Sequence, residues 1–124
     1  MAKIMVIDDE TPVRGILKEI LEEEHEILEA SDGEEAVKIF MQSPVDLIIT
    51  DLVMPNKSGI DLIIELKKNC PALPILAISG GGDITGRFDY LQIAKLIGAN
   101  AILSKPFQNS EIKQRVSSML AAAD

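Results

Sequence analysis

The chain has 124 residues, 47% of them apolar, which suits one domain with a substantial core and excludes intrinsic disorder. Its formal net charge of −8, from 20 acidic and 12 basic residues, argues against direct nucleic-acid binding, which needs a basic patch. No apolar stretch approaches the ~20 residues that cross a bilayer, and a lone cysteine, Cys70, and a lone histidine, His25, leave no internal disulfide and no zinc cluster. Met1-Ala2-Lys3 runs directly into a strand-like segment with no signal-peptide pattern, so a cytoplasmic protein that does not engage membrane is expected.

Strand-like runs alternate with helical patterns. Residues 3–8 form the first apolar run and end on Asp8-Asp9. Val13, Ile16, Leu17, Ile20 and Leu21 then recur at helical spacing, with Pro12 in the first turn and Thr11 as the expected N-cap. Glu19, Glu22, Glu23, Glu24 and Glu26 gather at the end of that helix and read as a solvated face, with His25 at the surface among them. A second strand is expected over 26–30. Ser31-Asp32-Gly33-Glu34 resembles a capping box opening a helix whose apolar surface comes from Val37, Ile39, Phe40 and Met41.

Residues 45–50 make a third strand that ends on Asp51. Ser58 caps a helix carrying Ile60, Leu62, Ile63 and Leu66, with Cys70 in a structural place at its end. The fourth strand, 74–79, ends on Ser79. Leu91, Ala94, Lys95 and Ile97 lie on a fourth helix closed by Gly98. The fifth strand, 100–104, delivers Lys105-Pro106, and Asn109 or Ser110 opens a last helix with Ile112, Val116, Met119 and Leu120 inward. Short strands rich in Ile, Val and Leu, each followed by a helix, predict five βα units: a doubly wound α/β domain spanning 1–124, with helices on both faces of a parallel sheet.

In such a sheet the carboxyl ends of the strands share one edge, where ligands bind. Asp8, Asp9, Asp51, Ser79 and Lys105 therefore fall on one rim. Three carboxylates repel unless a cation lies among them, and Mg²⁺ prefers such hard oxygen ligands together with phosphate. Taken alone, Asp8-Asp9-Glu10 reads equally well as acidic residues favoured at a helix N-terminus. Asp51 shifts the balance: a carboxylate ending a buried strand is a plausible nucleophile toward phosphorus. Lys105 supplies a point charge for phosphoryl oxygens, Ser79 a hydroxyl, and Pro106 allows a cis bond after Lys105.

At these residues the chain resembles the receiver domains of two-component response regulators. The resemblance rests on Asp8-Asp9, on Asp51-Leu52-Val53-Met54-Pro55 with Gly59, on Ser79, and on Lys105-Pro106-Phe107. It implies a flavodoxin-like (βα)5 sheet of strand order 2-1-3-4-5. By the same resemblance Asp51 takes a phosphoryl group from the phosphohistidine of a sensor histidine kinase or histidine phosphotransfer protein. Asp9, Asp51 and the Val53 carbonyl would hold Mg²⁺, Asp8 would hold metal-bound water, Lys105 and Ser79 would meet the phosphoryl oxygens, and a surface for a downstream protein target would switch.

Two features depart from the family pattern. Ile102 stands where many receivers carry a switching aromatic residue. The stretch Ser79-Gly80-Gly81-Gly82-Asp83-Ile84-Thr85-Gly86 makes the connection between Ser79 and Lys105 long and glycine-rich, and reads as a mobile loop that closes over the site or meets a partner.

No output domain is expected. The alternatives are a receiver portion of a larger regulator and, further off, an aspartyl-phosphate phosphatase or phosphotransferase. Such an enzyme needs an acid two residues after its nucleophile, where this chain has Val53. A flavin-binding flavodoxin is disfavoured by one Tyr and no Trp.

Overall fold

The computed structural model describes residues 2–54, 56–80 and 90–123. In chain order the elements are β1 (Lys3–Ile7), α1 (Thr11–Leu21), β2 (Glu26–Ala30), α2 (Gly33–Gln42), β3 (Leu47–Asp51), α3 (Gly59–Asn69), β4 (Ile75–Ser79), α4 (Tyr90–Leu96), β5 (Ala101–Ser104) and α5 (Asn109–Ala123). The strands form one five-stranded sheet in the order β2-β1-β3-β4-β5. All four pairings are parallel. This is the flavodoxin-like architecture that the resemblance implied.

Alternation along the strands divides the core in two. Successive side chains of a strand point to opposite faces. Met5, Ile7, Ile48, Ile75 and Ala77 pack with Ala36, Leu62, Ile63, Leu66 and Ala94 of α2, α3 and α4. Ile4, Val6, Leu47, Ile49, Leu76 and Ile78 pack with Leu17, Ile20 and Leu21 of α1 and Ile112, Val116 and Met119 of α5. Burying each such Leu or Ile contributes roughly 1.5–3 kcal/mol relative to exposure, so both helix layers are held by substantial apolar contact.

Local chemistry explains most element ends, and corrects several expectations. Thr11 is the first residue of α1 and not its cap; Glu10 precedes it and gives no side-chain cap bond. At α2 the cap is Asp32 rather than Ser31. Asp32 accepts the Glu35 N–H at 2.9 Å, while Glu35 accepts the Ser31 N–H at 2.9 Å, a capping box displaced by one residue. Ser58 caps α3 as expected, accepting the Asp61 N–H at 3.2 Å. Gly98, at φ 121°, follows α4 in the left-handed region that glycine tolerates. The third strand begins at Leu47, two residues later than expected, and includes Asp51.

Two apolar residues assigned to helix faces are largely outside. Ile16 is 50% exposed and Met41 79% exposed, since each lies at the margin of its stripe. β2 is less covered than the central strands: it is an edge strand with Glu26 and Glu29 exposed, and edge charges discourage pairing with other chains. His25 is half-buried, its Nδ1 accepting the Ala2 N–H at 3.1 Å. Cys70 is half-buried against the α2–α3–α4 core. Residues 81–89, which hold most of the expected glycine-rich loop, and the side chain of Leu91 lie outside the described residues; Gly80 is exposed.

Candidate phosphoryl and metal site

Strand order brings the site together. β1 and β3 are neighbours, with Ile7 opposite Thr50. Asp8 and Asp51 come next along each strand and so sit side by side at the rim. On the far side of β4, Ser79 pairs with Ser104, and the Lys105 N–H donates to the Ser79 carbonyl at 2.7 Å. Strands lie about 4.8 Å apart, so the lysine stem passes the end of β4 to reach the acids. Its Nζ donates to Asp8 Oδ2 at 3.1 Å and stands 3.5 Å from Asp51 Oδ2. The Lys105-Pro106 peptide bond is cis.

These charges are withdrawn from water. Asp8 is 0% exposed, Ser79 2% and Asp51 5%. Buried charges persist only when paired and hydrogen-bonded. Asp8 uses Oδ1 to accept the Glu10 N–H at 2.9 Å, and Asp51 uses Oδ1 to accept the Leu52 N–H at 2.8 Å. Each then turns Oδ2 toward Lys105.

The Asp51 carboxyl is pushed up from its ordinary range, first by burial and then by the negative charge of Asp8; Lys105 and the Leu52 N–H oppose the shift without cancelling it. For Lys105 burial is the largest single influence and works against its charge. The hydrogen bond to Asp8 and the charges of Asp51, Asp8 and Glu10 together outweigh it, and the ammonium is held above its usual range.

The backbone around Asp51 leaves no room for error. A Cβ on Gly59 would lie 2.0 Å from the Asp51 carbonyl oxygen and 2.7 Å from Leu52 Cα, and the Gly59 N–H donates to the Leu52 carbonyl at 3.0 Å. On the other side the connection from β3 to α3 rests on the start of α2. Asn56, at φ 64°, donates from Nδ2 to Asp32 Oδ2 at 2.9 Å, and the Gly33 N–H donates to the Lys57 carbonyl at 3.2 Å. Between these fastenings Val53 is 56% exposed. Pro55 lies outside the described residues.

Asp8, Asp9 and Glu10 present carboxylate oxygens within 4.8 Å of one another, Asp8 buried and the other two exposed. Hard anionic oxygens at that separation suit Mg²⁺. The direct juxtaposition therefore joins Asp8, Asp51 and Lys105, and groups Asp9 with Asp8. Ser79 is placed beside them at the end of β4. Glu10, which the sequence left evenly divided between a cation site and a helix start and did not name as a ligand, joins the acidic group. The signal was present in the run of three consecutive acids, but the same run is common at helix starts. Ile102 is half-buried and packs against the α2–α3–α4 core, so no aromatic switch stands there. Among the described residues no helix is long and apolar enough to cross a membrane.

Comparison with known proteins agrees with this geometry. The chemotaxis protein CheY of Halobacterium salinarum is 35% identical over 124 residues, covering 98% of this chain and 100% of its own length. A probable transcriptional regulator, ycf27, of Porphyridium aerugineum is 35% identical over 98% of this chain but 49% of its own length. The chain thus spans about half the length of several curated regulators it matches. Among solved structures, NtrX of Brucella abortus superposes with a TM-score of 0.89 at 30% identity, over 98% of this chain and 27% of that one. The Francisella response regulator 1452 receiver domain gives 0.87 at 26% identity, with both chains fully covered. The family model described as the response regulator receiver domain matches residues 4–117, from the first strand into the last helix, and the chain belongs to that family of two-component signalling domains.

Proposed function

We propose that Asp51 is the phosphoacceptor of this receiver and that Asp8, Asp9, Asp51 and the Val53 carbonyl form its Mg²⁺ site, with Asp8 acting through bound water. The observation that carries the reading is the buried pair Asp8 and Asp51 facing, among the described residues, one shared ammonium 3.1 and 3.5 Å away. A carboxylate cluster that shares one lysine is short of positive charge, and bound Mg²⁺ would supply the remainder and offset the charge of an incoming phosphoryl group.

In the transfer, an Asp51 carboxylate oxygen attacks the phosphorus of a phosphohistidine. The new P–O bond forms as the P–N bond breaks; the leaving nitrogen takes the electron pair, and with the other ring nitrogen of the donor already protonated the histidine departs as neutral imidazole. Lys105 would follow the phosphoryl oxygens, exchanging its contact with Asp51 for one with the new group, and Ser79 would offer a hydroxyl from β4. Receiver domains are phosphorylated by histidine kinases, so a sensor kinase or a histidine phosphotransfer protein is the proposed donor. A protein target is the proposed recipient of the signal, inside the cytoplasm where such donors act. The domain assists its own phosphorylation without turning over a separate substrate. With Ile102 packed against the core, the signal would leave through backbone and helix movement, mainly of α4, β5 and α5.

Intact-mass spectrometry after incubation with acetyl phosphate tests this. Wild type should gain one phosphoryl group in Mg²⁺ and none in EDTA, and Asp51→Asn should gain none. A Mg²⁺-dependent adduct that persists in Asp51→Asn would move the acceptor elsewhere. No adduct under any condition, with no beryllofluoride-induced change in the amide spectrum, would leave a phosphate-independent binding module.

A further inference from the structure

Arg14 stands directly behind the acidic turn and belongs to none of the roles above. It rises from the first turn of α1 with its side chain only 15% exposed. Its planar fork donates to two oxygens, from Nη1 to the backbone carbonyl of Asp8 at 2.5 Å and from Nη2 to Thr11 Oγ1 at 3.3 Å; Nε, buried and making no hydrogen bond, is ion-paired with Glu29, 3.4 Å from Oε1. Glu29 is on the edge strand β2 and is approached from its other oxygen by Lys18 at 3.9 Å.

The first of these contacts has a geometric consequence. A peptide unit is planar, so the Asp8 carbonyl and the Asp9 N–H share one rigid plane. Whatever holds that carbonyl sets the direction in which Asp9 leaves the strand, and therefore where the Asp9 and Glu10 carboxylates point. The turn has a second tie in the Glu10 N–H to Asp8 Oδ1 bond at 2.9 Å. That bond fixes the Asp8 side chain to the turn. The turn is also fastened through its backbone: the Asp8 N–H donates to the Ala30 carbonyl at 3.2 Å, and the Glu10 carbonyl accepts the Val13 and Arg14 N–H groups at 3.1 and 3.2 Å. None of these bonds holds the Asp8 carbonyl; Arg14 does so, linking it to α1 through Thr11 and to β2 through the ion pair with Glu29.

We propose that Arg14 is a positioning residue for the cation site: it holds the Asp8–Asp9 peptide plane, and Glu29 anchors it. The proposal rests on the metal reading above for its functional meaning. Charge alone assigns Arg14 the opposite effect. A cation beside an acidic cluster repels a second cation, so deleting it should tighten Mg²⁺ binding if electrostatics dominated. If positioning dominates, deleting it weakens binding. A lysine keeps the charge but not the rigid fork of several donors, and so should not restore the site.

The experiment compares wild type, Arg14→Gln, Arg14→Lys and Glu29→Gln, each first checked for a cooperative thermal melt. Mg²⁺ dissociation constants come from calorimetric titration, and backbone heteronuclear NOE values from the metal-free proteins. Arg14→Gln should weaken Mg²⁺ about tenfold, as loss of groups that orient metal ligands commonly does. Arg14→Lys should weaken it by a similar factor, and Glu29→Gln by a smaller one. The NOE should fall at Asp9 and Glu10 in Arg14→Gln and stay level along α1.

Unchanged or tighter Mg²⁺ binding in a folded Arg14→Gln would overturn the proposal. Should that variant fail to fold, Glu29→Gln decides, and unchanged affinity and NOE there would overturn it. Should wild type itself fail to bind Mg²⁺, the metal reading falls, and the metal-free NOE values still decide whether Arg14 holds the turn.

Discussion

Asp51 illustrates how a buried carboxylate can work against the fold that holds it. Its carboxyl is pushed up by burial and by Asp8. A group with a raised folded value binds its proton more tightly when folded than when unfolded. Its favourable contribution is complete below the ordinary value of 3.8 and is lost as pH rises through the folded value. Above that window the ionised side chain is a burden, which Asp51→Asn removes. In EDTA, Asp51→Asn should therefore melt higher than wild type at neutral pH, with the gap narrowing as pH falls toward 4. A constant gap across pH would refute the linkage. Mg²⁺ should reverse the order: at ten times its dissociation constant it adds about 1.4 kcal/mol to whichever protein binds it.

Among the elements, the start of α2 carries more than a cap. Asp32 offers Oδ1 to the Glu35 N–H and Oδ2 to Asn56, so one carboxylate both begins a helix and secures the connection that follows Asp51. Its pKa is lowered, chiefly by the Glu35 N–H and then by Asn56. A depressed value contributes stability above the ordinary 3.8, lost as pH falls through the folded value. Asp32→Ala should cost about 1 kcal/mol at neutral pH, typical of a lost N-cap. Its gap from wild type should shrink in acid, as the Asp51→Asn gap also does but from the opposite sign. A denaturant titration at pH 7 and pH 3.5 reads both.

This element also marks where sequence reading stopped. The capping pattern was visible in Ser31-Asp32-Gly33-Glu34, but two overlapping frames fit it, and only the backbone selects Asp32 with Glu35. The Asn56 contact was illegible because it joins residues 24 apart, with no periodicity to announce it. Likewise Asp8, Asp9, Asp51, Ser79 and Lys105 were legible as strand-end residues, because an apolar strand stops visibly at its first charge. The grip of Arg14 on the Asp8 carbonyl was not, because a backbone acceptor leaves no mark in a sequence and Arg14 sits on a helix whose apolar stripe is read without it.

For the whole molecule, the sheet is the wall between two cores and belongs to both. Leu17 and Leu62 are each 0% exposed, on opposite faces. Truncating either to alanine should cost roughly 2–5 kcal/mol. Because every central strand contributes to both clusters, each variant should still unfold in one transition with an unchanged urea m-value. A biphasic melt in Leu17→Ala would mean that the α1–α5 layer can leave on its own. The succession of strands and helices, joined by right-handed crossovers, made this two-layer division legible, whereas the order 2-1-3-4-5 came from the family resemblance, since periodicity carries no information about which strands are neighbours.

The bond between Lys105 and Asp8 spans 97 positions of the chain. Protein synthesis proceeds from the amino terminus, so Asp8 and Asp51 leave the ribosome well before the strand that carries their counter-charge. Until β5 is in place the two acids lack the ammonium that the proposed chemistry needs. Competence to receive a signal would then arrive late and at once, with the final strand, and an unfinished or truncated polypeptide would draw nothing from a shared pool of phosphodonor.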